Sequence, residues 1–141
     1  MDPRAARQVL LAHFRGERDR DLDATMAPLS AHPTWLVPNY RLEGREAVRA
    51  LYAKALVAMQ EGWMDESIRA LDDPQVTHWG QAHCVMEYSD AYPMHRGWVM
   101  VVHFDDDGRI RSENVYPRPD HRLPPDLGRD FEALPGVTRL V

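Results

Sequence analysis

Histidines and carboxylates within otherwise apolar segments are the residues of this chain best suited to acid–base chemistry. His83, Glu87 and Glu113 lie in two segments with the alternating pattern of β-strands, and His13 lies on the apolar stripe of an amphipathic helix. A histidine beside carboxylates in an apolar cavity can act as a general acid or base, because burial and neighbouring charge tune its proton affinity. Each residue also has a structural reading: Glu113 paired with an arginine, His83 facing a dimer partner, and His13 packed in the core.

Other sequence patterns argue against metal, nucleotide and nucleophilic chemistry. His32, His78, His95 and His103 lack the His-x-His or His-x-x-x-His spacing typical of a metal site. The close acidic cluster at residues 105–107 is typical of a hairpin turn. The sequence contains no Gly-rich phosphate loop and no Gly-x-Ser-x-Gly elbow. We therefore expect no metal, no cofactor and no covalent nucleophile.

Composition favours one soluble domain. The chain has 141 residues, of which 44% are hydrophobic and 28% charged. Its net charge is −5 and its arginines are interspersed with carboxylates, which argues against a nucleic-acid partner. The longest apolar run, Trp98–Val102, is too short to cross a bilayer, and we expect no signal peptide. Because Cys84 is the single cysteine, no internal disulfide can form. A cytoplasmic location is the simplest expectation.

Helices are predicted in the first part of the chain and strands in the second. Asp2-Pro3 is typical of a helix start, Asp21 can cap a short second helix, and an apolar stripe from Val48 to Met59 predicts a third. A short edge strand is expected between Pro33 and Pro38. Further strands are predicted at residues 65–71, 76–79, 82–89, 94–104 and 109–116, with a hairpin at Asp107-Gly108. This order favours an α+β domain over residues 1–117. A proline-rich C-terminal tail, residues 118–141, should then pack in extended form on the domain or on a dimer partner, as Pro117, Pro119, Pro124, Pro125 and Pro135 suggest.

The predicted central strand carries apolar residues on both faces. Residues 98–102 read Trp-Val-Met-Val-Val, whereas an antiparallel strand with one wet face should alternate. We therefore expect the helices to cover one face of the sheet and a second copy of the chain to cover the other. The alternative is that the C-terminal tail covers this outer face.

Two motifs and their order point to a known superfamily. Gly44-Arg45-Glu46-Ala47-Val48 opens the third helix, and Phe104-Asp105-Asp106-Asp107-Gly108-Arg109-Ile110 forms the last hairpin. Over residues 5–117 the chain resembles the NTF2-like superfamily, in its SnoaL-like and ketosteroid-isomerase-like branch. The resemblance implies a cone-shaped fold, with N-terminal helices packed on a strongly curved antiparallel or mixed sheet around a deep pocket. Relatives include isomerases, dehydratases, polyketide cyclases, epoxide hydrolases and proteins that only bind, so the fold does not name the reaction.

The resemblance argues against a true ketosteroid isomerase. In those enzymes a general base ends the first strand, and an oxyanion-binding acid lies on the strand before the hairpin. The shared motifs align Val37 and Met100 with these two positions. Neither side chain can move a proton or hold an enolate, so that mechanism is not expected.

The same alignment implies which residues line the pocket. It turns Trp98, Met100 and Val102 inward on one strand, and Arg111, Glu113 and Val115 inward on the last. On the 82–89 strand, an even-length loop would turn His83, Val85 and Glu87 inward, whereas a shift of one residue would turn Cys84, Met86 and Tyr88 inward. The expected catalytic residues are His83, Glu87 and Glu113. The expected substrate-binding residues are Trp35, Val37, Tyr52, Trp98, Met100 and His13.

Three functions remain open. The first is a cofactor-free enzyme that isomerises, dehydrates or cyclises a small, partly apolar carbonyl compound. The second is a small-molecule-binding protein without chemistry, and the third is a dimeric or partner-binding scaffold that works through the outer sheet face. Polar residues at inward positions favour a pocket over a bare scaffold, since a polar group buried without a partner costs stability. They do not separate an enzyme from a binder.

Overall fold

Helices pack against one mixed sheet in the computed structural model, which describes residues 1–118 and 127–140. The helices are α1 Pro3–Arg18, α2 Leu22–Met26, α3 Arg45–Ala58, α4 Trp63–Ala70 and α5 Arg129–Glu132. The strands are β1 Leu29–Val37, β2 Tyr40–Glu43, β3 Thr77–Trp79, β4 His83–Glu87, β5 Val99–Phe104, β6 Ile110–Tyr116 and β7 Val137–Arg139. None of these helices is long and apolar enough to cross a membrane within the described residues.

The sheet has the strand order β3-β4-β5-β6-β1-β2-β7 and does not close into a barrel. Its neighbouring strands are antiparallel except β1 and β6, which run parallel. The parallel register places Trp35 directly opposite Glu113. The antiparallel register of β5 and β6 then places Val102 on the other side of Glu113. The predicted α+β fold, with helices on a mixed sheet, is confirmed.

The first helix is held against the second by an unusually close approach. α1 begins where the Asp2 side chain accepts a hydrogen bond from Arg4 N at 3.0 Å, with Pro3 in the first turn. Gly16 lies inside the helix, since α1 continues to Arg18. A Cβ atom at Gly16 would lie 2.6 Å from the backbone nitrogen of Thr25, so glycine is needed there for α2 to pack.

Several predicted elements differ from the structure. Residues 65–71 form most of helix α4 rather than a strand, because Met64, Ser67 and Leu71 share one buried face at helical spacing. Residues 94–98 are turns, and β5 starts only at Val99. β1 is an interior strand rather than an edge, because it pairs with β6 on one side and with β2 on the other. Its register with β6 shifts between Leu29 and Thr34, and this irregularity accommodates Pro33.

The C-terminal segment joins the sheet. β7 pairs antiparallel with β2, and Phe131 of α5 is buried against the ring of Tyr40 at a centroid distance of 5.3 Å. The prediction of an extended tail is therefore wrong at residues 129–132, which are helical. Pro119, Pro124 and Pro125 lie outside the described residues.

The two faces of the sheet differ in burial. The inner face carries Cys84, Met86, Met100, Val102 and Phe104, all buried. The outer face carries Val85, Val99 and Val101, which are half-buried, and Tyr116, which is exposed. Helices thus cover one face, as predicted.

Candidate functional site

Four elements bring a group of polar side chains together in the interior. His13 and Glu17 come from successive turns of α1, Tyr52 from α3, Trp35 from β1 and Glu113 from β6. All five are buried, and His13 has no exposed surface. We call this group the interior cluster. The parallel pairing of β1 with β6 sets Trp35 beside Glu113, and α1 and α3 close over them from the helical layer.

The Tyr52 hydroxyl is the centre of the interior cluster. Its oxygen accepts a hydrogen bond from Trp35 Nε1 at 2.9 Å and donates to Glu113 Oε2 at 3.1 Å. The same oxygen lies 3.1 Å from His13 Nε2, whose other contact is Glu17 Oε1 at 3.1 Å. Tyr52 therefore links the imidazole of His13 to the carboxylate of Glu113.

The hydrogen bonds of His13 favour its charged form. Nδ1 lies 2.8 Å from the carbonyl oxygen of Thr25, which can only accept, so Nδ1 carries a proton. Nε2 faces the Glu17 carboxylate and the oxygen of Tyr52. Burial alone would lower the pKa of His13, but the charge and hydrogen bond of Glu17, with the charge of Glu113, raise this pKa to about 9. His13 is an imidazolium at neutral pH.

Glu113 changes protonation close to neutral pH. Burial raises its pKa, the positive charge of His13 opposes this, and the negative charge of Glu17 adds to it, so that the pKa lies at about 7. Burial, followed by the charge of Glu113, raises the pKa of Tyr52 well above its ordinary value. Tyr52 therefore remains a neutral donor, while Glu113 can accept or release a proton under physiological conditions.

A metal ion could also be considered in the interior cluster. His13, Glu17 and Glu113 each offer one ligand-type atom, and these atoms lie within 4.8 Å of one another. However, the imidazole of His13 already pairs with Glu17, and the Tyr52 hydroxyl donates to Glu113. The ligand-type atoms therefore already have hydrogen-bond partners. That the cluster holds no metal ion remains a prediction.

Apolar side chains surround the interior cluster. Met100 and Val102 face inward on β5, as predicted, while Val37 and Trp98 are half-buried near the same face.

Burial and the charge of Glu113 raise the pKa of Cys84 to about 12, which keeps this thiol protonated and unreactive. Two surface depressions formed by the described residues lie elsewhere, one around Arg18, Glu61 and Trp63 and the other around Arg7 and Pro74. The cluster is thus enclosed by packed side chains.

The predicted inward orientation of His83 and Glu87 is wrong. Both are exposed on the outer face of β4, and the inward residues of this strand are Cys84 and Met86. Met86 lies directly opposite the inward Met100, so the loop joining β4 to β5 has an odd number of residues rather than the even number assumed.

The inward orientation predicted for Arg111 is also wrong. The register between β5 and β6 shifts next to His103 and Phe104, so Ser112 pairs with His103 while Ile110 pairs with Phe104. This irregularity leaves Arg111 exposed and returns Glu113 to the inner face. Glu113 therefore does not pair with Arg111.

A second buried polar network fixes the loop before β5. Glu66 accepts hydrogen bonds from His95 N at 2.9 Å and Met94 N at 3.2 Å and contacts His95 Nδ1 at 3.0 Å. Ser67 Oγ lies 3.2 Å from His95 Nε2 and 2.9 Å from the hydroxyl of Tyr88. These bonds tie the loop to α4 and turn Tyr88 inward, which sets the orientation of β4.

One member of the interior cluster, Glu17, and one contact of its histidine, the Thr25 carbonyl, were missed in the sequence. Glu17 stands four residues after His13 on the same helix, a spacing that brings the two side chains together, so this pair could have been found. The Thr25 carbonyl that orients His13 comes from α2. Its contact depends on how α1 and α2 pack, which the residue pattern does not contain.

Solved structures share this architecture at low sequence identity. A SnoaL-like protein of unknown function from Burkholderia thailandensis E264 is 18% identical, covers 84% of this chain and 98% of its own, and has a TM-score of 0.59. SalBIII is described as an epoxide hydrolase/cyclase-like enzyme in pyran ring formation in polyether salinomycin. It is 18% identical, the match covers 84% of this chain and 94% of SalBIII, and the TM-score is 0.55. An NTF-2 like protein of unknown function from Burkholderia xenovorans LB400 is 18% identical, with a match that covers 86% of this chain and 88% of its own and a TM-score of 0.53. No family model and no curated protein matches the chain. These similarities concern the fold, and the chemistry must be argued from the side chains.

Proposed function

With its SnoaL-like, NTF2-like fold as the premise, we propose that this chain is a cofactor-independent acid–base enzyme of the isomerase, dehydratase or cyclase type. Its substrate is a small, partly apolar carbonyl compound held inside the cone. The observation that carries the proposal is the pairing of Glu113, whose pKa is about 7, with the His13 imidazolium through a single tyrosine hydroxyl. The cyclase-like chemistry of SalBIII, a protein of similar fold, is a supporting analogy.

Each residue of the interior cluster has a distinct role in this proposal. Glu113 takes a proton from the carbon next to the carbonyl and returns it elsewhere on the substrate. When substrate is bound, Tyr52 turns its single hydroxyl proton from Glu113 to the carbonyl oxygen, which leaves Glu113 free to act as the base. His13 donates to the Tyr52 oxygen and so helps to stabilise the negative charge that develops on the carbonyl oxygen. Glu17 and the Thr25 carbonyl hold His13 in its charged form and orientation. This mechanism differs from that of ketosteroid isomerases because its carboxylate comes from β6 and not from the positions of Val37 and Met100.

In this proposal, flexible side chains give a ligand access to the enclosed cluster. Met86 and Met100 lie opposite each other on the inner face, one row of side chains away from Glu113. Methionine has an unbranched, adaptable side chain, so a ligand can displace it at lower cost than a branched or aromatic residue. In this proposal the substrate enters over this methionine pair, and Trp35 and Trp98 form further apolar wall.

The alternative is a non-catalytic small-molecule-binding protein or dimeric scaffold of the same fold. It is favoured by the enclosure of the interior cluster, whose polar atoms bond to one another as in a structural network. In either case we propose a homodimer through the outer sheet face, where Val85, Val99 and Val101 are only half-buried.

The enzyme proposal is tested by proton exchange in deuterated water. Wild-type protein should speed deuterium incorporation beside the carbonyl of 2-tetralone or 4-phenyl-2-butanone, measured by NMR, above the rate in buffer. Glu113→Gln should reduce this acceleration by about a hundredfold or more, the usual contribution of a general base. Glu87→Gln, a matched change on the exposed outer face, should leave it unchanged. Equal rates for wild type and Glu113→Gln would favour the binding alternative.

The dimer proposal is tested by light scattering on the eluting protein. Val101→Glu places a charge at the centre of the outer face and should give a monomer, because a charge buried without a partner is costly. Val57→Glu, at a residue that is 85% exposed on α3, serves as the control. A wild-type monomer would refute the dimer.

A further inference from the structure

Two histidines face each other across neighbouring strands on the outer face of the sheet. His83 of β4 is directly opposite His103 of β5, and their ring centroids are 5.7 Å apart with a 34° angle between the ring planes. His83 is exposed and His103 is half-buried. The interior cluster lies on the other face, so the proposed enzyme does not use this pair.

The spacing of the two rings suits a shared metal ion. An imidazole nitrogen binds Zn²⁺ at about 2.0–2.1 Å, and tetrahedral geometry then places two ring centroids about 5 Å apart. The observed 5.7 Å is within about 1 Å of that spacing. Both rings stand on paired strands, so a metal would bind a largely prearranged pair of ligands.

The surroundings fix the orientation of each ring. Ser112 Oγ lies 3.2 Å from His103 Nδ1, a contact that leaves Nε2 to act as the ligand, as outer partners of metal-binding histidines commonly do. The ring of His83 occupies the space beside Gly80, where an added Cβ atom would lie 2.3 Å from its Cε1. The missing side chain at Gly80 therefore makes room for this imidazole.

We propose that His83 and His103, next to the Val85–Val101 pair of the proposed dimer face, form a site for a nitrogen-preferring divalent transition-metal ion such as Zn²⁺ or Ni²⁺. Water completes the coordination in the single chain, and a group of the second copy can replace it in the proposed dimer. Arg111, exposed on the neighbouring strand, places a positive charge that acts on His103 and disfavours a cation there. Binding therefore depends on the affinity of imidazole for these metals rather than on charge attraction. Mg²⁺ and Ca²⁺, which prefer oxygen ligands, should not bind.

Isothermal titration of the untagged full chain with Zn²⁺ and with Ni²⁺ tests this site. One ion per chain should bind, and His83→Gln or His103→Gln should abolish that binding. His78→Gln and His32→Gln, at exposed histidines outside the pair, should leave it unchanged. Gly80→Ala keeps both ligands but displaces the His83 ring, and should weaken binding by about tenfold or more, as loss of orienting contacts does.

Arg111→Gln should strengthen metal binding several-fold, whereas the variants above weaken it, because it removes a nearby positive charge. The proposal is overturned if wild-type protein shows no saturable binding, or if His83→Gln binds as tightly as wild type. Circular dichroism of each variant shows whether the fold is retained. If a variant unfolds, the Arg111→Gln titration and the histidine NMR shifts of wild type on adding Zn²⁺ decide the question.

Discussion

Tyr52 donates its hydroxyl proton to Glu113 Oε2 over 3.1 Å, joining helix α3 to strand β6. The same oxygen accepts from Trp35 and lies beside the imidazole of His13. One hydroxyl thus connects the two groups of the interior cluster whose pKa values lie at and above neutral pH, at about 7 for Glu113 and about 9 for His13. A proton added to or removed from Glu113 therefore changes the hydrogen bonding of His13 as well.

The rate of ketone proton exchange should follow a bell-shaped curve with pH. Glu113 must be deprotonated to act as the base, so the rate should rise through its pKa of about 7. His13 must be charged to stabilise the oxyanion, so the rate should fall through its pKa of about 9. Measuring exchange from pH 5 to 10 checks this. His13→Gln should lose the upper limb, and a flat wild-type profile would contradict the assignment. Because no metal ion is expected in the interior cluster, adding a chelator should not change the rate of ketone proton exchange.

Stability should decline as the solution becomes more alkaline. Glu113 and His13 both have folded-state pKa values above their ordinary values of 4.5 and 6.5. The folded protein therefore binds more protons than the unfolded chain between pH 4.5 and 7 for Glu113, and between pH 6.5 and 9 for His13. The free energy of unfolding should be highest below these windows and fall on the order of 3 kcal/mol across each.

Urea unfolding at pH 5, 7 and 9 measures this dependence. Glu113→Gln should remove most of the decline between pH 5 and 7, and His13→Gln most of that between pH 7 and 9. His32→Gln, at an exposed position, should retain the wild-type curve. A wild-type stability that rises from pH 5 to 9 would show that the buried groups have the opposite shifts.

Tyr52→Phe should destabilise the protein as well as slow exchange. The change removes the hydroxyl that accepts from Trp35 Nε1, donates to Glu113 Oε2 and lies beside His13 Nε2, so each of these buried atoms loses one hydrogen-bond partner. Such a loss costs about 1–3 kcal/mol in the free energy of unfolding. Tyr116→Phe, whose side chain is 46% exposed, should change stability by much less. Equal effects of the two changes on thermal unfolding would show that the Tyr52 hydroxyl is not a structural link.

Gly16→Ala should be destabilising even though alanine is the better helix former. The new Cβ atom would lie 2.6 Å from Thr25 N and 2.7 Å from the carbonyl carbon of Ala24, both backbone atoms. α2 must therefore shift, which also moves the Thr25 carbonyl that holds His13. We expect a loss of more than the roughly 1 kcal/mol by which alanine favours a helix over glycine. Arg15→Ala, at the preceding exposed position, should be neutral in denaturant unfolding, and a stabilised Gly16→Ala would refute the close approach.

Motifs and periodicity predicted the architecture better than the site. The helix α3 and the last hairpin follow directly from local sequence, because an apolar stripe and an Asp-Gly turn depend on neighbouring residues alone. Glu113 was placed inward on the basis of the shared hairpin motif, and the structure has it there. Helix α4 was missed because its eight residues also fit a strand pattern.

The orientation of side chains on β4 depends on information beyond the strand. Whether His83 or Cys84 faces inward is decided by one residue in the length of the preceding or following loop. The position at which β4 ends and the loop begins is held by hydrogen bonds from the loop to Glu66 and Ser67, which belong to helix α4 and not to either strand. The bulge that exposes Arg111 is likewise a property of two paired strands. Sequence patterns therefore identify the polar residues of a strand more readily than the face they occupy.

The parallel pairing of β1 with β6 has a consequence for how the protein is made. Trp35 cannot meet Glu113 until nearly the whole domain has been synthesised, and His13 lies still earlier in the chain. Contacts between such distant residues form late and slow the search for the native state, because a long loop must close before they stabilise anything. A nascent or truncated chain that ends before β6 lacks Glu113 and therefore cannot form the interior cluster. Proton-exchange activity, where present, will thus report on completed molecules.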